Sequence, residues 1–111
     1  MPDLPSLGEF EHIVLLAVLR LDDKAYGVTI RKEIRLCTGR EPAPGALYTT
    51  MDRLEEKGLL VSTMGDPTPE RGGRAKRYFR VSAQGIKAVN RARRCYLRMW
   101  EGLPFPGVSH A

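Results

Sequence analysis

Residues 44–81 read PGALYTTMDRLEEKGLLVSTMGDPTPERGGRAKRYFRV, and the fold turns on this stretch. Pro44 suits the first turn of a helix, where its missing N–H costs nothing. Leu47, Met51 and Leu54 follow at i, i+4 and i+7, one face of a helix running to about Lys57, and Gly58 stops it. Beyond the glycine the pattern becomes strand-like, with Leu59–Met64 and Lys76–Val81 as two strands. Between them, Gly65–Ala75 is too long and too rich in glycine and proline for a tight turn, so it reads as an extended basic loop joining antiparallel strands.

Working outward, Phe10, Ile13, Val14, Ala17, Val18 and Leu21 mark one face of an earlier helix. Leu15, Leu16 and Leu19 are apolar too, which places that helix in a core or between subunits. Asp22-Asp23-Lys24 reads as a turn. A second helix spans about Tyr26 to Cys37, with Tyr26, Ile30, Ile34 and Cys37 inward and Arg31, Lys32 and Arg35 outward. Gly39 suits its left-handed cap, and Arg40–Ala43 is a short connection. Downstream, Ser82 fits an N-cap. A last helix runs from Ala83 to Trp100 or Gly102, apolar at Ile86, Val89, Ala92, Tyr96, Met99, Trp100 and Leu103, and basic at Lys87, Arg91, Arg94 and Arg98.

The expected fold class is therefore mainly α with a small antiparallel β-hairpin. Residues 7–81 form a winged helix-turn-helix and residues 82–103 a C-terminal dimerisation helix, while residues 1–6 and 104–111 are expected to be disordered tails. A chain of 111 residues, 42% hydrophobic and 28% charged, fits one folded domain. No apolar run reaches the ~18 residues of a membrane span. Met1–Pro5 lacks the basic and apolar regions of a signal peptide, so a cytoplasmic location is expected.

Cys37 and Cys95 stand far apart, with no CxxC and no companion His, so they read as plain thiols, with a redox or metal role as the alternative. No metal or cofactor is expected. His12 and His110 complete no Ser/His/Asp or Cys/His set, and no phosphate-cradling loop with its lysine is present, so enzymatic activity is not expected.

Charge points to a partner. Residues 1–66 carry 8 Lys/Arg and 11 Asp/Glu, whereas residues 67–111 carry 10 and 2. A basic half suits a polyanion, because Lys and Arg neutralise phosphates and release counterions, though a solvated surface with excess arginine would look similar. In a winged helix-turn-helix the third helix enters the major groove. Its outward residues are Gly45, Tyr48, Thr49 and Asp52, with Arg53 to one side and Glu56 also outward. The neutral start can approach bases or phosphates, whereas Glu55 and Glu56 would repel phosphate and should point away. An ordinary amphipathic helix with a solvated face is the alternative. In the loop, Arg71, Arg74, Lys76 and Arg77 outnumber Glu70, and Gly72-Gly73 lets the backbone pass close to a phosphate or groove wall. A loop with chance charge is the competing reading there. On the last helix, Tyr96 and Trp100 are four residues apart on one face, which suits a dimer seam.

The stretches Leu7–Glu11, Ala25-Tyr26-Gly27, Gly45–Leu59 and Gly72–Phe79 resemble the PadR family of transcriptional regulators, over about residues 7–100. The resemblance implies a homodimer that represses promoters, often its own and those of detoxification or efflux genes. The single C-terminal helix implies the short branch. Double-stranded DNA would be held by Tyr26, Pro44, Gly45, Ala46, Tyr48, Thr49, Arg53, Arg71, Gly72, Arg74, Lys76 and Arg77. The first and last helices would form the dimer through Phe10, Ile13, Val14, Val89, Tyr96, Leu97, Trp100 and Leu103. In some short members an aromatic on the last helix stacks a flat drug between subunits, a part that Trp100, with Tyr96, could play for a small aromatic effector, against a purely structural role. Two residues depart from the family pattern: Ala43 replaces a common Ser before the Pro-Gly, and Thr49 a common Pro after the Tyr. A winged helix used for protein assembly is the competing class, and it requires an exposed apolar patch besides the dimer seam.

Overall fold

The apolar periodicities close into helices around a small hairpin. The computed structural model describes residues 6–65 and 75–105. In order come α1 (Glu9–Leu21), a 3-10 turn (Asp22–Lys24), α2 (Gly27–Thr38), α3 (Pro44–Glu56), β1 (Leu60–Met64), β2 (Arg77–Val81) and α4 (Ala83–Trp100). The strands pair antiparallel, from Leu60 opposite Val81 to Met64 opposite Arg77. This is a winged helix. Most of the tails expected at 1–6 and 104–111, namely residues 1–5 and 106–111, and the wing tip with Arg71, Gly72 and Arg74 lie outside the described residues.

One core serves all elements. Val14, Leu15 and Val18 of α1, Ile30 and Ile34 of α2, and Leu47, Met51 and Leu54 of α3 are buried together with Leu59, Phe79 and Val89. Each such side chain contributes roughly 1.5–3 kcal/mol over its exposed state. Two expected inward residues on α2 differ. Cys37 is exposed, its thiol donating to the Glu33 carboxylate at 3.5 Å, while Ile30 and Ile34 are the α2 side chains that enter the core. Tyr26 precedes the helix in extended conformation and bridges to Tyr78, while the Phe79 N–H donates to the Ala25 carbonyl at 2.8 Å. Thus β2 is flanked on both sides, by β1 and by this bridge.

The helix ends follow from local chemistry. Gly39 and Gly58 both take φ +75°, a left-handed conformation that other residues adopt only at a cost of about 1–2 kcal/mol. At the α3–β1 corner the Gly58 and Leu59 N–H groups donate to the Glu55 and Leu54 carbonyls, each at 2.9 Å. Ser82 caps α4, accepting from the Gly85 N–H at 3.0 Å, and its hydroxyl donates to the Gly58 carbonyl at 2.7 Å. One serine therefore starts the last helix and fastens it to the corner after α3.

A buried carboxylate joins α1 to the end of α3. Glu11 accepts from Lys57 Nζ at 2.8 and 2.9 Å and from the Gly8 N–H at 2.9 Å. Burial alone would push its carboxyl up. The hydrogen bonds from Lys57 and Gly8 and the charges of Lys57 and Arg53 outweigh that and hold it below its ordinary 4.5. On lowering pH the unfolded chain takes up the proton first. The stabilisation is therefore complete above about pH 4.5 and is lost as pH falls through the lower folded value. Half-buried His12 acts in the same direction: burial lowers its imidazole, so acid below about pH 6.5 favours the unfolded chain. Lys57→Met should cost about 2 kcal/mol at neutral pH, read from the urea midpoint, because it leaves Glu11 without its cation. Glu11→Gln should flatten the fall in stability below about pH 4.5. A Glu11→Gln profile that overlays the wild type would contradict this assignment.

Candidate nucleic-acid interface

The start of α3 is presented to solvent. Ala43 precedes it without a side-chain cap and Pro44 opens it. Pro44, Gly45, Ala46, Tyr48, Thr49 and Arg53 are exposed, while Leu47, Met51 and Leu54 face the core. Thr50 is buried, its hydroxyl donating to the Ala46 carbonyl at 2.9 Å. The exposed strip is thus small or neutral at its N-terminal end, where N–H groups lack partners and the helix dipole favours an anion.

Next to this strip lies the base of the wing. Lys76 Nζ stands 4.3 Å from the centre of the Tyr26 ring, and the Tyr26 and Tyr78 rings meet edge-on at 5.5 Å. Tyr26, Tyr48 and Lys76, together with Gly27, Val28, Ala75 and Arg77, line an open cleft of about 330 Å³ between the start of α2, α3 and the wing. The fold therefore brings together residues far apart in sequence, a cation beside two tyrosines. Tyr48 leans across the first turn of α2, directly over Gly27.

Arg77 behaves differently from the sequence expectation. Its guanidinium bonds Glu55, and Asp52 at 3.2 Å, while Nε donates to Ser62 Oγ at 3.2 Å. It also lies over the Phe79 ring at 4.9 Å. The strand register, with Arg77 opposite Met64, sets it over the C-terminal half of α3. Its charge is thus spent on carboxylates of its own chain. Glu55, expected to repel phosphate, shares the Arg77 guanidinium with Asp52, and of the α3 carboxylates only Glu56 has no ion-pair partner among the described residues.

The expected dimer residues divide in two. Val14 and Val89 are buried in the chain's own core and offer almost no surface to a second copy. Phe10 and Ile13 are half-buried against the core, and Phe10 is covered by the Arg40 guanidinium at 5.5 Å. Tyr96, Leu97 and Trp100 are exposed on the last turns of α4, and Leu103 is exposed just beyond the helix. Trp100 meets the ring of Phe105 at 6.5 Å. On α1 the open apolar residues are Leu16 and Leu19, which the helix's all-round hydrophobicity announced without singling out.

Residues 15–91 match the transcriptional regulator PadR-like family. The chain belongs to that family. This PadR-like chain is 36% identical over 73 residues to the transcriptional regulator Rv3488 of Mycobacterium tuberculosis, a match covering 66% of this chain and 64% of that protein. Its fold is similar to that of a transcriptional regulator from Clostridium thermocellum, Cth-833, with a TM-score of 0.67 and 26% identity over 81% of this chain and 82% of the other. A PadR family transcription regulator from Clostridium difficile shares the fold at a TM-score of 0.67 and 20% identity, covering 82% and 91% of the two chains. RosR of H. salinarum does so at 0.69 and 24%, covering 91% and 84%. Among the described residues of this PadR-like chain, no helix is long and apolar enough to cross a membrane.

Proposed function

We propose that this PadR-like chain is a repressor that binds a specific, pseudo-palindromic DNA operator as a homodimer. The start of α3 enters the major groove, and the wing, through Lys76, Arg71 and Arg74, lies on the flanking backbone or minor groove. The observation that carries this reading is the exposed neutral strip of α3 beside Lys76, with the acidic end of the same helix drawn back by Arg77. A phosphate can then approach without meeting an unpaired carboxylate at the reading end. The apolar end of α4, with Leu16 and Leu19 of α1, supplies the surface for a second copy. A small planar aromatic effector bound against Trp100 and Tyr96 in that seam would release the operator. Action on chromosomal DNA places the chain in the cytoplasm.

Selection of duplexes from a randomised pool tests the reading, followed by sedimentation of the complex. The expected outcome is a two-fold-symmetric consensus bound by two chains, with affinity falling steeply as salt rises. Failure to enrich any sequence, or one chain on an asymmetric site, would contradict it.

A further inference from the structure

We infer that Gly27 is a positioning residue for the DNA-reading surface, because its missing side chain is what allows Tyr48 to lie across the first turn of α2. The inference rests on the DNA-binding reading above. Gly27 is the buried first residue of α2. A Cβ at this position would stand 2.1 Å from Tyr48 Oη, 2.8 Å from Cζ and 3.3 Å from Cε2. Carbon atoms in contact prefer about 3.5–4.0 Å. Any side chain at position 27 and the present pose of Tyr48 therefore exclude each other.

The backbone gives no other reason for a glycine. Gly27 is helical and has no positive φ, unlike Gly39 and Gly58. What a Cβ would strike is the far end of one side chain, and Tyr48 is 40% exposed, free to swing into solvent. Gly85 makes the contrast, since a Cβ there would strike the backbone carbonyl of Leu59 at 2.2 Å. Substitution at position 27 thus displaces a reader and spares the core. It moves Tyr48 out of the cleft it shares with Tyr26 and Lys76. Tyr48 brings no Lys or Arg charge to the surface, so its displacement changes affinity without changing how many phosphates the protein neutralises.

The test is a double-mutant cycle of Gly27→Ala and Tyr48→Ala on a duplex selected by the wild-type chain from a randomised pool, with melting temperatures recorded for all four proteins. Gly27→Ala should melt within a few degrees of wild type, lose about tenfold or more in affinity, and keep the slope of log affinity against log salt. The double variant should bind no worse than Tyr48→Ala alone. Wild-type affinity in Gly27→Ala, or two losses that simply add, would overturn the inference. If Gly27→Ala fails to fold, the double variant should fold, because the obstructing ring is gone; its failure would overturn the inference as well. A wild-type chain that selects no duplex would sink the DNA reading and with it the role of Gly27 in reading. The Gly27–Tyr48 contact would then be judged by non-additivity of the melting temperatures alone.

Discussion

Gly85→Ala is expected to leave the chain unfolded or to lower its melting temperature by at least roughly 12 °C. Gly85 is buried in the first turn of α4. A Cβ there would lie 2.2 Å from the Leu59 carbonyl oxygen and 2.6 Å from Val81 Cγ1. The valine methyl can turn aside, but the carbonyl cannot. It accepts from the Ser82 N–H at 3.1 Å, at the joint where α4 meets the corner after α3. Overpacking a core costs about 1–3 kcal/mol and more where backbone must move, so about 3 kcal/mol is the working figure here. A domain of this size shifts its melting temperature by about 4–8 °C per kcal/mol. Thermal unfolding followed by circular dichroism checks it, and a melting temperature within a few degrees of wild type would show that α4 can slide on the hairpin.

The second large effect separates two kinds of wing arginine. Replacing Arg71, Arg74 and Lys76 together with Gln is expected to weaken binding about a hundredfold or more on every sequence, and to reduce the salt slope by about 0.9 for each phosphate no longer neutralised. Arg77→Gln is expected to leave that slope unchanged. Its guanidinium already bonds Asp52 and Glu55, so its single charge is engaged by two carboxylates of α3. With both partners partly exposed, its loss should cost about 1 kcal/mol of stability. Affinities at several salt concentrations, beside a melting curve for Arg77→Gln, check both statements. A slope reduced as much by Arg77→Gln as by Lys76→Gln would place Arg77 on DNA.

These cases show what the sequence carried. The winged-helix order was readable because it rests on local signals: the Leu47, Met51, Leu54 stripe, Pro44 at a helix start, Gly39 and Gly58 at helix ends, and Ser82 as a cap. The outward face of α3 followed from the same periodicity. What escaped depends on distances between elements. Nothing local tells that Arg77 reaches across to Asp52 and Glu55, since that depends on the pairing of β1 with β2 and on how the hairpin lies against α3. Val14 and Val89 have the same apolar character as the exposed Leu16, Leu19 and Leu97, and only packing shows that their own core takes them. Gly27 and Gly85 look alike in sequence, yet one faces a mobile ring and the other a fixed carbonyl. The missing Ser before Pro44, by contrast, was legible and has a visible consequence, an α3 start without a side-chain cap.

The most direct test of DNA reading by α3 is strand cleavage by an iron chelate tethered to a cysteine at position 46, with Cys37 and Cys95 replaced by Ser. Ala46 is exposed on the proposed reading strip. On a selected duplex, the predicted result is two clusters of cuts inside the protected region, centred on successive major-groove faces about 34–36 Å apart or a multiple of that spacing. Cuts confined to the flanks of the protected region, or none within it, would contradict the placement of α3 in the groove.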